Sequence, residues 1–205
     1  MSERRWMVLV CRMPAEPARH RMALWRDLRR AGAVPVAQGV WALPDLPAVE
    51  TLLDRARQHA AAAGAEVLVL TAAGRDPASA ARLDALYADA RVQEWAEFTA
   101  DCDKFLAEID KEEQLGKYTL AELEEEEQSL DRLRRWYRDL RARDLLGTAA
   151  SVDADQHLKR CAERLDQYAE RVYAALSAPT DQAPAAPAVH VGRPAQDRDD
   201  NVPSP

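Results

Sequence analysis

Cysteine, glycine and aromatic residues are scarce in this 205-residue chain, which has three cysteines, seven glycines and 6% aromatics. Cys11, Cys102 and Cys161 lie far apart and cannot all pair within one chain. A disulfide scaffold and a cysteine zinc site are therefore not expected, and a reducing cytoplasm is the natural address. The glycines never reach the GxGxxG or GxxxxGK spacing that cradles phosphates, and no GxSxG nucleophile elbow occurs. His20, His59, His157 and His190 fall in separate segments, with no HxxxH or ExxH pair among them. No run approaches the twenty apolar residues of a membrane span, and the arginine-bearing start lacks a signal-peptide core. These shortages lead us to expect no metal, no cofactor, no membrane partner and no enzyme.

Charge, by contrast, is plentiful and unevenly placed. The net charge is −7, yet residues 1–75 carry 11 basic and 7 acidic side chains, whereas residues 76–176 carry 15 basic and 24 acidic. A basic first third on an acidic remainder suggests two functional regions, with any anionic partner meeting the first.

The first region alternates strand and helix signals. Trp6–Arg12 (WMVLVCR) has the β-rich, internally uncharged pattern of a strand buried on both faces. After a Pro14/Pro17 break, residues 18–31 read as a helix closed by Gly32. Residues 33–37 and 40–43 read as short strands with a turn or a bulge at Gln38-Gly39. A second helix over 46–63 ends at Gly64, and Glu66–Ala72 (EVLVLTA) is a further strand. The order β-α-β-β-α-β predicts an α+β, ferredoxin-like domain over residues 1–75, one antiparallel sheet with both helices on one face.

From Pro77 onward the period becomes helical. Trp95, Phe98, Cys102, Phe105 and Ile109 form one apolar seam at heptad spacing. Leu123, Leu130, Leu133, Tyr137 and Leu140 form a second, and Leu158, Cys161, Leu165, Tyr168, Val172 and Ala175 a third. Asp76-Pro77 opens the first helix, and Thr119 with Glu122 makes a capping-box pattern for the second. The three cysteines read as buried structural thiols within these apolar stretches. Residues 76–176 are thus a helical hairpin plus a third helix. Residues 177–205, with six prolines and few large apolar side chains, are expected to be a disordered tail.

Two charged groups bear on function. The run ELEEEE at 122–127 sits at a helix start, where carboxylates suit the helix dipole and a solvated face. On the first helix, Arg19, Arg26 and Arg30 fall within about 40° on a helical wheel, and Arg29 extends the stripe. Leu24, Trp25, Leu28 and Ala31 lie opposite and are expected to face the sheet. Asp27 is the only acid on that helix, so Arg19, Arg26, Arg29 and Arg30 are candidate contacts to nucleic-acid phosphates. A second arginine group over 132–143 is expected to neutralise itself through the i,i+4 pairs Asp131/Arg135, Arg135/Asp139 and Asp139/Arg143.

The stretch WMVLVCRMPAEPARHRMALWRDLRRAGAVPVAQGVWALP resembles the N-terminal domain of ChrB, the regulator of bacterial chromate-resistance operons. The residues that carry the likeness are Pro14, Pro17, Arg19, Arg21, Trp25, Arg26, Leu28, Gly32-Ala33 and the GVWALP segment from Gly39 to Pro44. EFTADCDKFLAEIDKE, KYTLAELEEEE and LRRWYRDLRARD resemble its helical part. The R-x-x-L-R-x-x-G…G-x-W arrangement is also similar to the ferredoxin-like module of the phenylacetate-degradation repressor and of small CRISPR-associated nucleases. The resemblance implies a dimerising ferredoxin-like domain in a transcriptional regulator. The nuclease relatives place a metal-holding aspartate at the end of the first strand. Cys11-Arg12-Met13 stands there instead, so nuclease activity is not implied.

ChrB regulators usually continue into a domain associated with the chromate response, whereas this sequence runs into a Pro/Ala/Asp segment. Two alternatives follow, a stand-alone relative that has lost the effector half or one whose effector sensing is supplied by a separate partner, and the sequence leaves chromate itself open. The leading expectation is a cytoplasmic, homodimeric, DNA-associated regulator. The alternative is a non-enzymatic interaction or assembly module without DNA binding, suggested by the heptad seams and the acidic helical half.

Overall fold

The structure, a computed structural model, describes residues 4–13 and 18–178. The sheet grows outward from β1 (Trp6–Arg12), whose β-branched and aromatic run favours extended backbone. It pairs antiparallel with β3 (Val40–Pro44), placing Leu9 opposite Trp41, and with β4 (Glu66–Ala72), placing Leu9 opposite Val69. β2 (Val34–Ala37) joins the outer edge of β3, so the strand order is β2-β3-β1-β4. Of the alternatives open at Gln38-Gly39 the turn is realised, and the register shift lies upstream of it, between Pro35 and Ala37.

Helices α1 (Ala18–Arg30) and α2 (Glu50–Ala62) cover one face. Leu24 and Leu28 of α1, with Val49, Leu53 and Ala56, pack on Met7, Leu9, Trp41 and Leu43. This is the ferredoxin-like α+β arrangement expected from the strand and helix order. α2 begins later than the residue 46 expected, because Pro47 opens a 3-10 turn over Pro47–Val49 before the α-helix starts.

Two expectations about burial change. Trp25 does not face the sheet but is 39% exposed, since it lies a quarter-turn from the Leu24–Leu28 row that makes the contact. β1 is closed on its helix side at Met7 and Leu9, while Val8 and Val10 on the other face are only half-buried.

The partial cover on that second face comes from α3 (Pro77–Gln114), opened by Asp76, whose carboxylate accepts the Ser79 amide at 2.8 Å. Its first turns lay Leu83, Tyr87 and Ala90 against Trp6, Val8, Val34 and Ala42. Beyond Trp95 the same helix enters a bundle with α4 (Leu120–Arg143) and α5 (Ala150–Ser177). The three seams meet there: Trp95, Phe98, Cys102, Ile109, Leu130, Leu140, Cys161, Tyr168 and Val172 are all essentially inaccessible. Each large side chain of that kind contributes about 1.5–3 kcal/mol by leaving water. Trp95 and Phe98 pack on Tyr137 and Trp136 with ring centroids 5.5 and 5.4 Å apart respectively.

The end of α4 returns to the sheet. Tyr87 donates its hydroxyl hydrogen to the Arg143 carbonyl at 2.8 Å and accepts the Leu145 amide at 2.9 Å. Trp95 donates its indole N–H to Asp144, which also accepts the Thr148 amide and hydroxyl and so closes the α4–α5 turn. Gly32, at φ +85°, brings the α1–β2 turn so close to the Arg143 carbonyl that an added Cβ would overlap it. Residues 179–205, most of the expected tail, lie outside the described residues, as do residues 14–17 with Pro14 and Pro17.

Candidate nucleic-acid interface

All four arginines singled out in the sequence are exposed on α1, but they are not equivalent. Arg26 has no ion-pair partner among the described residues. Arg30 stands 4.0 Å from Asp27, whose other oxygen is taken at 2.7 Å by His59 of α2. Arg19 lies within 3.2 Å of the His20 ring, its Nε donating to Nε2. These three side chains keep most of their donors available to an anion.

Arg29 turns the other way. Its guanidinium stacks on the Trp25 ring, 5.1 Å from the centroid, and reaches Glu94 of α3 at 3.4 Å. Glu94 also meets Arg91 at 3.3 Å and Arg143 at 3.4 Å. Three guanidinium groups therefore share one carboxylate where α1, α3 and α4 meet, leaving local positive charge beside the α1 stripe. Arg91 is buried, with Nη1 3.4 Å from the Arg143 carbonyl and its charge 5.3 Å from the Tyr87 ring centroid. Nothing in the local sequence marks Arg91 as a site residue. Its signal is the seam extended backward, because Tyr87, Arg91 and Trp95 continue the buried row of α3 at four-residue steps.

The second arginine group does not pair as the i,i+4 spacing suggests. Asp131 takes Arg134 at 3.2 Å, Arg132 donates to Ser129, and Arg143 swings to Glu94. The i,i+3 neighbour competes with the i,i+4 one on the same helix for Asp131 and Arg132, and for Arg143 a tertiary carboxylate outweighs a helical pair worth about 0.2–0.5 kcal/mol.

The acidic side of the molecule is equally structured. An open cleft of about 880 Å³ lies between α3 and α4, lined by the carboxylates of Asp101, Glu108, Glu112, Glu122, Glu125 and Glu126. Lys104, Lys111, Lys117 and Arg132 share its walls. The run 122–127 is not wholly solvated, since Glu126 is only 6% exposed. Burial, followed by repulsion from Glu108, Glu125, Glu112 and Glu122, pushes its carboxyl up to about 7. Glu126 fills the gap between Leu123 and Leu130 in the α4 seam, which is the sequence signal for its inward position. Glu112, also buried, is held by Lys117 at 2.9 Å. The acid excess makes this cleft a poor seat for phosphates, whereas α1 presents an exposed row of arginines.

The cysteines do not assemble a metal centre. Among the described residues no group of three or more His, Cys, Asp or Glu side chains is arranged to hold an ion. Cys102 and Cys161 nevertheless meet across α3 and α5, both wholly buried and unbridged, with the Cys161 thiol donating to the Cys102 carbonyl at 3.6 Å. Its hydrogen bond to Cys161 and then burial hold the Cys102 thiol above the ordinary range. Burial raises Cys11 to about 11. Neutral, protonated thiols are structural rather than nucleophilic. Among the described residues no helix is long and apolar enough to cross a membrane.

A ferredoxin-like sheet with an arginine-bearing first helix, joined to a three-helix bundle, is thus the type of module this chain forms. The family described as "Protein ChrB, N-terminal" matches residues 21–179, and the chain belongs to that family. A curated relative, Protein ChrB of Cupriavidus metallidurans, is 29% identical over 99 residues. That stretch covers 48% of this chain and 30% of the relative, so the likeness spans under a third of the relative's length. No solved structure matches.

Proposed function

We propose that the chain is a cytoplasmic, dimeric, non-enzymatic regulator of the chromate-resistance type that binds DNA through phosphate contacts from Arg19, Arg26, Arg29 and Arg30. The observation that carries this reading is the exposed arginine row on the outer face of α1, in which Arg26 has no carboxylate partner among the described residues. Membership of the ChrB N-terminal family supports the regulatory class. Within the row, Arg19, Arg26 and Arg30 reach the backbone directly. Arg29 contributes from its stacked position on Trp25, with Arg91 and Arg143 adding to the local potential behind it. Such contacts give affinity and register on the duplex, not base recognition. Effector sensing belongs to a separate partner in this scheme, and chromate is one effector to test.

Binding of the full chain to the DNA upstream of its own gene, followed by fluorescence anisotropy across a salt series, tests the proposal. Arg26→Ala combined with Arg30→Ala is expected to weaken binding and to reduce the slope of log K against log salt by about 2, near 0.9 for each phosphate no longer neutralised. An unchanged affinity and slope would remove these arginines from the interface. Release of DNA on adding chromate would place sensing in this chain rather than in a partner. The second reading, an assembly module without DNA, is supported by the acidic cleft and the exposed leucines of β4. It predicts no saturable binding even at low salt.

A further inference from the structure

β4 is the least supported strand of the sheet. None of its seven residues is buried, although six of them, Val67 to Ala72, are apolar or β-branched. It sits at an edge of the order β2-β3-β1-β4, so one side of its backbone has no strand partner among the described residues. Leu68 and Leu70 are 52% and 44% exposed on the face away from α1 and α2, level with Val10 and Val8 of β1. The first turns of α3 cover Trp6, Val8, Val34 and Ala42 on that face but stop short of the two leucines. An open edge of this kind normally carries a lysine, a proline or a bulge to block pairing. β4 has none of these, and its single charge, Glu66, is at the end of the strand.

We propose that β4 is the contact surface for a second copy of this chain, the two strands pairing antiparallel about a two-fold axis at Val69. The inference deepens the dimeric part of the proposed function by naming its surface. The strand's own sequence selects a copy of itself over a foreign peptide. With Val69 opposite Val69 of the partner subunit, all seven residues pair and each Leu68 falls opposite a Leu70. Each Glu66 falls opposite an Ala72, so no like charges meet. The four leucines then form one apolar cluster on the face left open by α3. Because the axis of such a pair is perpendicular to the sheet, both α1 helices come to lie on the same face of an eight-stranded sheet. Their arginines then stand on one face as two rows flanking the central pair of α2 helices, a two-fold arrangement that suits a two-fold symmetric partner such as duplex DNA.

Sedimentation of the full chain over about 1 to 100 µM is the test, a range that spans ordinary dimer affinities. The wild type is expected to dimerise. Leu68→Lys with Leu70→Lys, at side chains the monomer already exposes, is expected to raise the dimer dissociation constant at least about 100-fold, because each lysine at 68 then falls opposite a lysine at 70 where the leucine cluster would have been. Its circular dichroism should be unchanged. A wild type that stays monomeric, or a double variant that dimerises as well as wild type, overturns the proposal. If the variant fails to fold, hydrogen exchange on the wild type decides. Protection of the β4 amides that grows with protein concentration supports the pairing, and protection independent of concentration refutes it. DNA binding by a protein that sediments as a monomer would sink this interface while leaving the arginine assignment standing.

Discussion

In the helical half, Trp95, Phe98, Cys102, Ile109, Leu130 and Tyr168 are at most 2% exposed, whereas in β4 of the sheet half Leu68 and Leu70 are about half exposed. Both regions are rich in apolar residues, but they are completed differently. Each heptad seam of the bundle finds two others, so three helices close on one another within the chain. The sheet has two faces and two edges, and among the described residues α1 and α2 cover one face while the first turns of α3, with Leu145 and Leu146, cover part of the other. A bundle satisfies its backbone internally, while a four-stranded open sheet always leaves edge groups for something else. The contrast leaves the bundle closed on itself and the sheet module with open apolar surface.

The joint between the regions is where that contrast is easiest to break. Gly32→Ala should destabilise by roughly 3–5 kcal/mol, since it adds left-handed strain to an overlap with the Arg143 carbonyl that only a backbone shift can relieve. Gly64→Ala is the matched control. Gly64 is also left-handed, but nothing lies within 4 Å of its added Cβ, so about 1 kcal/mol is expected. Urea midpoints of the two variants measure the difference. Equal losses would mean that the α1–β2 turn does not hold the bundle.

Glu126 sharpens the comparison from the bundle side, because its seam is not entirely apolar. Its folded-state carboxyl, near 7, lies above its ordinary 4.5, so the folded chain holds a proton that the unfolded chain has released. The favourable contribution is complete below about pH 4.5 and is lost as pH rises through 7. Glu126→Gln, which keeps the neutral shape, should match wild type near pH 4.5 and exceed it by roughly 3 kcal/mol at pH 8. Denaturation at both pH values checks the sign. A smaller effect is expected at Tyr87. Tyr87→Phe removes the hydroxyl between Arg143 and Leu145 and should cost about 1 kcal/mol in the same assay. The main-chain bond from the Leu145 amide to the Arg143 carbonyl remains.

Much of this architecture is legible in single residues. The strand Trp6–Arg12, the cap at Asp76, the cap at Thr119 and the three seams appear where periodicity and capping chemistry put them. The buried charges are half-legible. Arg91 and Glu126 stand at seam positions, but period alone marks the site and not the partner that makes a charge tolerable there. Trp25 departs from its expected place because a wheel gives an angle without saying how wide the buried stripe is. Of the four arginines, exposure follows from the wheel for Arg19, Arg26 and Arg30. The engagement of Arg29 with Glu94, 65 residues away, has no local signature.

Local chemistry was sufficient for element type and order, because turns, caps and apolar periods act over a few residues. The closing of α4 onto Gly32, the three arginines around Glu94, the meeting of Cys102 with Cys161 and the bare edge of β4 arise only when distant segments share space. Packing and burial are properties of those meetings, and no single segment of chain contains them.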